Sequence, residues 1–356
     1  MTSNNLQVNL VTEGETLAEM KGTVYVKANR LNITPWLDKM LAIEDENTHS
    51  TINFDAWLSL DNGLATQLQV VLGQNQIAWQ HKDNIRTLNI DEGQILFDHL
   101  DTPKNLLIKS SDIHIRSNEH VWQPLNFEVS RNNETFQSYI STVDIAGLAD
   151  LLPLFVEQES SRKLIEELNP VGQMNDVHLQ YVENNLSGTA QFSLLTTHYS
   201  DGIPGIENVS GEIILAEQQL QISMLAKQGA LDFNKHFLAP MQYQSLSSTV
   251  NIQLADTGWQ LKSDNINFVA EHIKATAEIG IFSKAGEEVK MSLLATLIDG
   301  NAEFANIFYP HLLMGDDLVN YLNASLTKGN LEQALVLVNG PLASFPFEDG
   351  SGVFVV

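Results

Sequence analysis

The sequence predicts a mainly β protein: a long, curled antiparallel sheet forming a β-groove, repeat-like, with a few short amphipathic helices. Three observations predict it. Short segments alternate apolar and polar residues over most of the chain, turn signals separate them, and only three stretches carry a helical pattern.

The alternation begins at Val24-Tyr25-Val26-Lys27-Ala28 and returns at Ile52-Asn53-Phe54-Asp55-Ala56-Trp57. Ile113-His114-Ile115-Arg116 and Leu125-Asn126-Phe127-Glu128-Val129 follow. Later come Val250-Asn251-Ile252-Gln253-Leu254, Ile266-Asn267-Phe268 and the run from Ile273 to Ile279. Side chains of a strand point to opposite faces in turn, so each segment has one apolar and one polar face. Asp61-Asn62-Gly63, Asp91-Glu92-Gly93, Asp256-Thr257-Gly258 and Lys284-Ala285-Gly286 supply the turns.

Helical patterns lie near 34–43, 145–168 and 302–326, the last two broken by Pro153 and Pro310. These two stretches align without gaps: Pro153 and Pro310 are 157 residues apart, as are Gly172 and Gly329. The first is a shorter version, with Leu31, Ile33, Trp36 and Asp38 matching Val143, Ile145, Leu148 and Asp150. Chance similarity between amphipathic helices is the bland alternative to a degenerate repeat. The expected parts are a β-groove segment over 1–142, a second repeat unit over 143–296 and a third over 297–356. Leu148, Leu152, Phe155, Leu164 and Leu168 are expected to face the sheet, as are Phe304, Phe308, Leu318 and Leu322.

Composition narrows function. In 356 residues, 19 Lys and Arg stand against 44 Asp and Glu, a net charge of −25. Such a surface repels nucleic acid and anionic membrane surfaces. Cysteine is absent, so disulfides, thiolate metal sites and Cys nucleophiles are excluded. That leans towards cytosol or bacterial periplasm. No window approaches the ~18 uninterrupted apolar residues of a membrane span, and no signal-peptide layout opens the chain. Gly352 to Val356 reads as an interrupted strand, so the chain is expected to be a segment of a longer protein whose anchor lies elsewhere.

No catalytic motif is present: no nucleophile elbow, phosphate loop, dinucleotide fingerprint or paired-His zinc motif. The spacing of Asp98, His99 and Asp101 fits no calcium loop. Asp316-Asp317 reads as a solvated helix start, and each of the five Trp as core packing. No enzyme, cofactor or metal is expected. What remains is the apolar face. Val250, Ile252, Leu254, Ile266, Phe268, Ile273 and Ile279 are its candidate lining residues. It either closes into a core that binds nothing or lines a trough for a hydrocarbon chain.

Several segments resemble the YhdP branch of the AsmA-like envelope proteins of Gram-negative bacteria. The carriers are Gly202 to Gly211, Gly258-Trp259-Gln260-Leu261 with Asn265 to Phe268, Tyr309-Pro310, Tyr321-Leu322, and Gly340-Pro341 with Phe345-Pro346-Phe347, Gly350 and Phe354. The resemblance runs from about residue 130 to the end and is weaker before it. It implies a middle piece of a lipid conduit that is tethered to the inner membrane and crosses the periplasm. The implied cargo is phospholipid, the implied partner the rest of the same polypeptide. The alternative is a periplasmic spacer or scaffold with a closed core.

Overall fold

The computed structural model describes residues 5–37, 48–81, 84–156, 158–200 and 202–356. Among them run twenty strands of one antiparallel sheet. In chain order these are β1 (Asn5–Glu13), β2 (Lys21–Leu31), β3 (His49–Asp61), β4 (Leu64–Leu72), β5 (Asn75–His81), β6 (Asn84–Asp98) and β7 (Leu107–Ser117). Then come β8 (His120–Val121), β9 (Phe127–Asn132), β10 (Thr135–Asp144), β11 (Val171–Val182), β12 (Asn185–Thr197) and β13 (Gly205–Ala216). The rest are β14 (Gln219–Asp232), β15 (Met241–Ala255), β16 (Gly258–Val269), β17 (Lys274–Lys284), β18 (Lys290–Asn301), β19 (Asn330–Pro341) and β20 (Val353–Val355). Most pairings join successive strands, as the meander predicts. β4 and β5 act as two halves of one strand, each pairing with β3 on one side and β6 on the other.

The chain divides into two compact units, 1–166 with 173–188 and 167–172 with 189–356. Each has its own core. In the first, Trp79, Ile113, Ile115, Trp122, Val143, Leu151 and Leu154 pack together. In the second, Phe192, Val209, Ala226, Tyr243, Leu246, Phe268 and Ala270 do so.

Bulges recur from strand to strand. Arg30, Asp112, Asp176, Leu194, Asn208, Gln228 and Asp299 all have positive φ inside strands. The register shifts at several of these places, between Ala28 and Leu31 and between Ile206 and Val209 for example. A bulge leaves one amide outside the ladder, and here a neighbouring side chain accepts it. The N–H of Arg30 donates to Asn53 Oδ1 at 2.8 Å and that of Asp112 to Asn126 Oδ1 at 2.8 Å. The N–H of Leu194 donates to Ser210 Oγ at 3.1 Å and that of Thr249 to Asn265 Oδ1 at 2.9 Å. Each extra residue also restores the apolar side chains beyond it to the same face. In β7, Ile108 gives way across Asp112 to Ile113 and Ile115.

Helical insertions leave the sheet in three places: α1 (Thr34–Leu37); α2 (Ile145–Leu151), a 3-10 turn and α3 (Glu159–Leu168); and a 3-10 turn (Ala302–Phe308) followed by α4 (His311–Ser325). Of the first predicted helix, 38–43 lies outside the described residues. Each insertion opens on an Asx side chain accepting a backbone N–H. Asn32 accepts from Thr34 at 2.9 Å, Asp144 from Gly147 at 2.6 Å and Asn301 from Glu303 at 3.0 Å. Asp144 and Asn301 keep the 157-residue offset, and Asn32 and Asp144 the offset that aligns Leu31 with Val143. Gly172 and Gly329, which follow the longer insertions, both have positive φ.

Several expectations need correction. Trp79 and Trp122 are buried, but Trp36 is 59% exposed, Trp57 38% and Trp259 39%. An indole can cover a neighbour while staying wet, and Trp57 does so against Tyr25 at 5.4 Å between centroids. Phe155 is 64% exposed and Leu318 45%, because a turn follows the 3-10 segment at Phe155 and because α4 buries mainly Val319. Gly315, at φ 72°, interrupts α4 and resets its phase, and Asp316 and Asp317 follow it, exposed.

Candidate functional site

In the second unit, register assembles an apolar surface row by row. Leu220, Ile222 and Met224 of β14 stand opposite Ile252, Val250 and Ser248 of β15. Ile252 and Leu254 stand opposite Leu261 and Trp259 of β16. Leu261, Ser263, Ile266 and Phe268 oppose Ile281, Ile279, Ala277 and Ala275 of β17. Those oppose Met291, Leu293, Ala295 and Leu297 of β18. Directly opposed residues project from the same side of a sheet. Val250, Ile252, Leu254, Ile266, Phe268 and Ile279 therefore share one face, and Ile273 packs like Ile266 against the buried cluster.

Burial along this face is graded. Phe268 and Leu246 are buried with Val209 and Tyr243, and Phe308 packs on that cluster. Val250, Ile252, Ile266, Ile273 and Ile279 are half-buried, and Leu254 is 52% exposed. Ser248 and Ser263, both buried, share a hydrogen bond at 2.9 Å between their hydroxyls. The Tyr243 hydroxyl donates to the Glu207 carbonyl. Burial, with the nearby Glu207 charge, pushes its pKa up to about 12.

The opposite face carries polar ladders: Gln221 Nε2 donates to Asn251 Oδ1 at 3.1 Å, and Gln260 Nε2 to Gln253 Oε1 at 2.6 Å. It also exposes Leu225, Leu294, Leu335 and Leu337, so it is not uniformly polar.

The first unit has an apolar face of the same construction. Leu6, Val8 and Leu10 oppose Ala28, Val26 and Val24, and the rows continue through Phe54, Ala56 and Leu58 to Leu72, Val70 and Leu68. Leu6, Val8 and Leu10 are all more than half exposed. Behind this face the Tyr25 hydroxyl donates to Asp55, and that bond, helped by Lys27, holds the Asp55 carboxyl below its ordinary range.

These surfaces offer hydrocarbon contact, about 0.8 kcal/mol per methylene taken out of water. Among the described residues no three His, Asp or Glu side chains gather as a metal site. No described helix is long and apolar enough to cross a membrane.

A family model described as YhdP protein matches residues 1–356. The chain belongs to the YhdP family. It is 23% identical over 354 residues to the intermembrane phospholipid transporter YhdP of Escherichia coli (strain K12). That match covers 94% of this chain and 28% of the relative's length. No solved structure matches. The family model also covers the first third, where the sequence resemblance was weakest. The residues that carried the YhdP resemblance stand mostly at turns and element ends. Gly205 opens β13, Gly258 opens β16, and Pro310 separates the last 3-10 turn from α4. Phe345 and Phe354 pack with tilted rings, their centroids 5.1 Å apart, and Phe347 is buried.

Proposed function

We propose that this YhdP-family chain is a non-enzymatic segment of a periplasm-crossing phospholipid transport protein, and that the apolar face carries acyl chains. The observation that supports it most is the graded face itself. Continuous apolar rows pass from a buried core to half-exposed side chains, with Val250, Ile252, Leu254, Ile266 and Ile279 among them. A folded chain does not ordinarily leave so much contiguous apolar surface open without something to cover it. The printed activity of the Escherichia coli relative makes a lipid tail the natural cover. Transfer along such a face needs no bond making, so the protein's part is to shield tails while heads stay in water. The membrane anchor would belong to the rest of the polypeptide. The three-part organisation, 1–142, 143–296 and 297–356, is part of the same proposal, supported by the shared Asx caps at Asn32, Asp144 and Asn301.

The test uses neighbouring residues of opposite direction. Ile252→Asp puts a carboxylate on the apolar face, whereas Gln253→Asp puts it on the polar one. The first should lower co-purifying phospholipid about tenfold, corresponding to roughly 1.4 kcal/mol of lost tail contact. The second should leave it unchanged. Equal lipid content in both variants would show that the face bearing Ile252 does not carry the tails, and a wild type without lipid would instead favour a closed spacer.

A further inference from the structure

Burial on the second unit's apolar face changes along the strands, and the two ends of that gradient are built differently. On β15 and β16 the opposed pairs run from Leu246 and Phe268, both buried, through Ile252 and Leu261, half-buried, to Leu254 and Trp259, both exposed. The third helical insertion plugs the buried end. Phe308 packs on the cluster that holds Leu246 and Phe268. From the same 3-10 turn Phe304 lies flat on the His272 ring, 3.6 Å between centroids, and Ala270, in the β16–β17 turn with His272, is buried. The Tyr243 hydroxyl in this cluster is engaged by the Glu207 carbonyl.

The other end is open and polar. Leu254 and Trp259 flank the turn at Asp256 and Thr257, both exposed. The N–H of Ala285 donates to the Thr257 carbonyl at 2.7 Å, which ties this turn to the β17–β18 turn, where Lys284 bonds to Glu287 at 2.9 Å. An indole at such a boundary keeps its rings on hydrocarbon and its N–H within reach of water and esters, as Trp does at bilayer surfaces.

We propose that an acyl chain lies along the strands of this face, not across them, with its methyl end pointing to Phe268 and its ester end at Leu254 and Trp259. The chemistry of the tail fixes the direction. Methylenes gain most where water is most fully excluded, and an ester driven to the Phe268 end would lose its water among apolar side chains. A tail laid across the strands would hold both of its ends at one depth and forgo this difference. The face is long enough. A tail spans one leaflet, half of a hydrocarbon core of about 30 Å, and so covers about four to five residues of strand. From Leu254 that reaches past Ile252 to Val250 and the neighbouring Ser263, and the plug closes the face beyond. Head groups then stand in water at the β15–β16 turn, with Trp259 at the level of the ester. The inference rests on the lipid-carrying reading above and adds the direction of the cargo to it.

The test loads the wild-type chain from phosphatidylcholine vesicles whose lipid carries a photoreactive diazirine on one acyl chain, either beside the ester or at the methyl end. The chain is separated from the vesicles and irradiated, and the adducts are mapped by peptide mass spectrometry. The ester-side probe should label Leu254, Trp259 and the turn between them. The methyl-end probe should label about four to five residues deeper, around Val250, Ser263 and Ile266. The same rows labelled by both probes, the reverse order, or adducts confined to the first unit would overturn this orientation while lipid carriage stands. A folded chain that retains neither probe lipid after separation would overturn both.

Discussion

At the scale of single residues, direction decides role. Ile252 and Gln253 are neighbours in sequence, yet one stands between Leu220 and Leu261 and the other bonds to Gln260. Period-two alternation made that distinction legible without a structure. The bulges were not legible in the same way. Leu194 and Gln228 resemble any strand residue, and the side chains that accept bulge amides, such as Ser210 for Leu194, become neighbours only once the strands are paired. Tyr243 gives a residue-scale prediction. Its phenol is pushed up to about 12 in the fold, above the ordinary value of 10.0. A raised folded pKa stabilises the fold fully below the unfolded value, and that stability is lost as pH rises through the folded one. Denaturant midpoints measured across pH 10 to about 12 should therefore fall, and Tyr243→Phe should remove that part of the fall. A variant with the same alkaline slope as the wild type would show that Tyr243 is not its source.

At the scale of elements, the helical insertions show what sequence pattern can and cannot give. Their positions followed from apolar spacing and from Pro153 and Pro310. The Asx residue before each one was also readable as a helix start, by the rule that a short side-chain oxygen accepts the first free amides. The facing of Phe155 and Leu318 was not readable, because a turn after the 3-10 segment and the Gly315 interruption each reset the phase of the pattern. The docking of α2 depends on a close approach. The Trp122 indole donates to Ser117 Oγ at 3.0 Å, and Ser117 Oγ donates to the Gly147 carbonyl at 3.2 Å. A Cβ at Gly147 would collide with the Trp122 ring. Asp144→Ala should cost about 1 kcal/mol through loss of the cap. Gly147→Ala should cost more, roughly 2–3 kcal/mol, through overpacking. Thermal or denaturant unfolding would check the order, and a Gly147→Ala variant as stable as the wild type would contradict this docking.

At the scale of the whole molecule, the fold class was legible because a twenty-strand sheet repeats one simple signal many times. How open its apolar face stands was not. Alternation gives the same pattern for a strand facing a closed core and for one facing an occupant. The structure adds the gradation, from Phe268 in the core to Leu254 at 52% exposed. The most direct measurement is native mass spectrometry of the purified chain, followed by lipid extraction. Lipid carriage predicts discrete adducts of phospholipid mass, released on denaturation and reduced by Ile252→Asp but not by Gln253→Asp. A wild-type chain that folds, stays in solution and carries no phospholipid would contradict it.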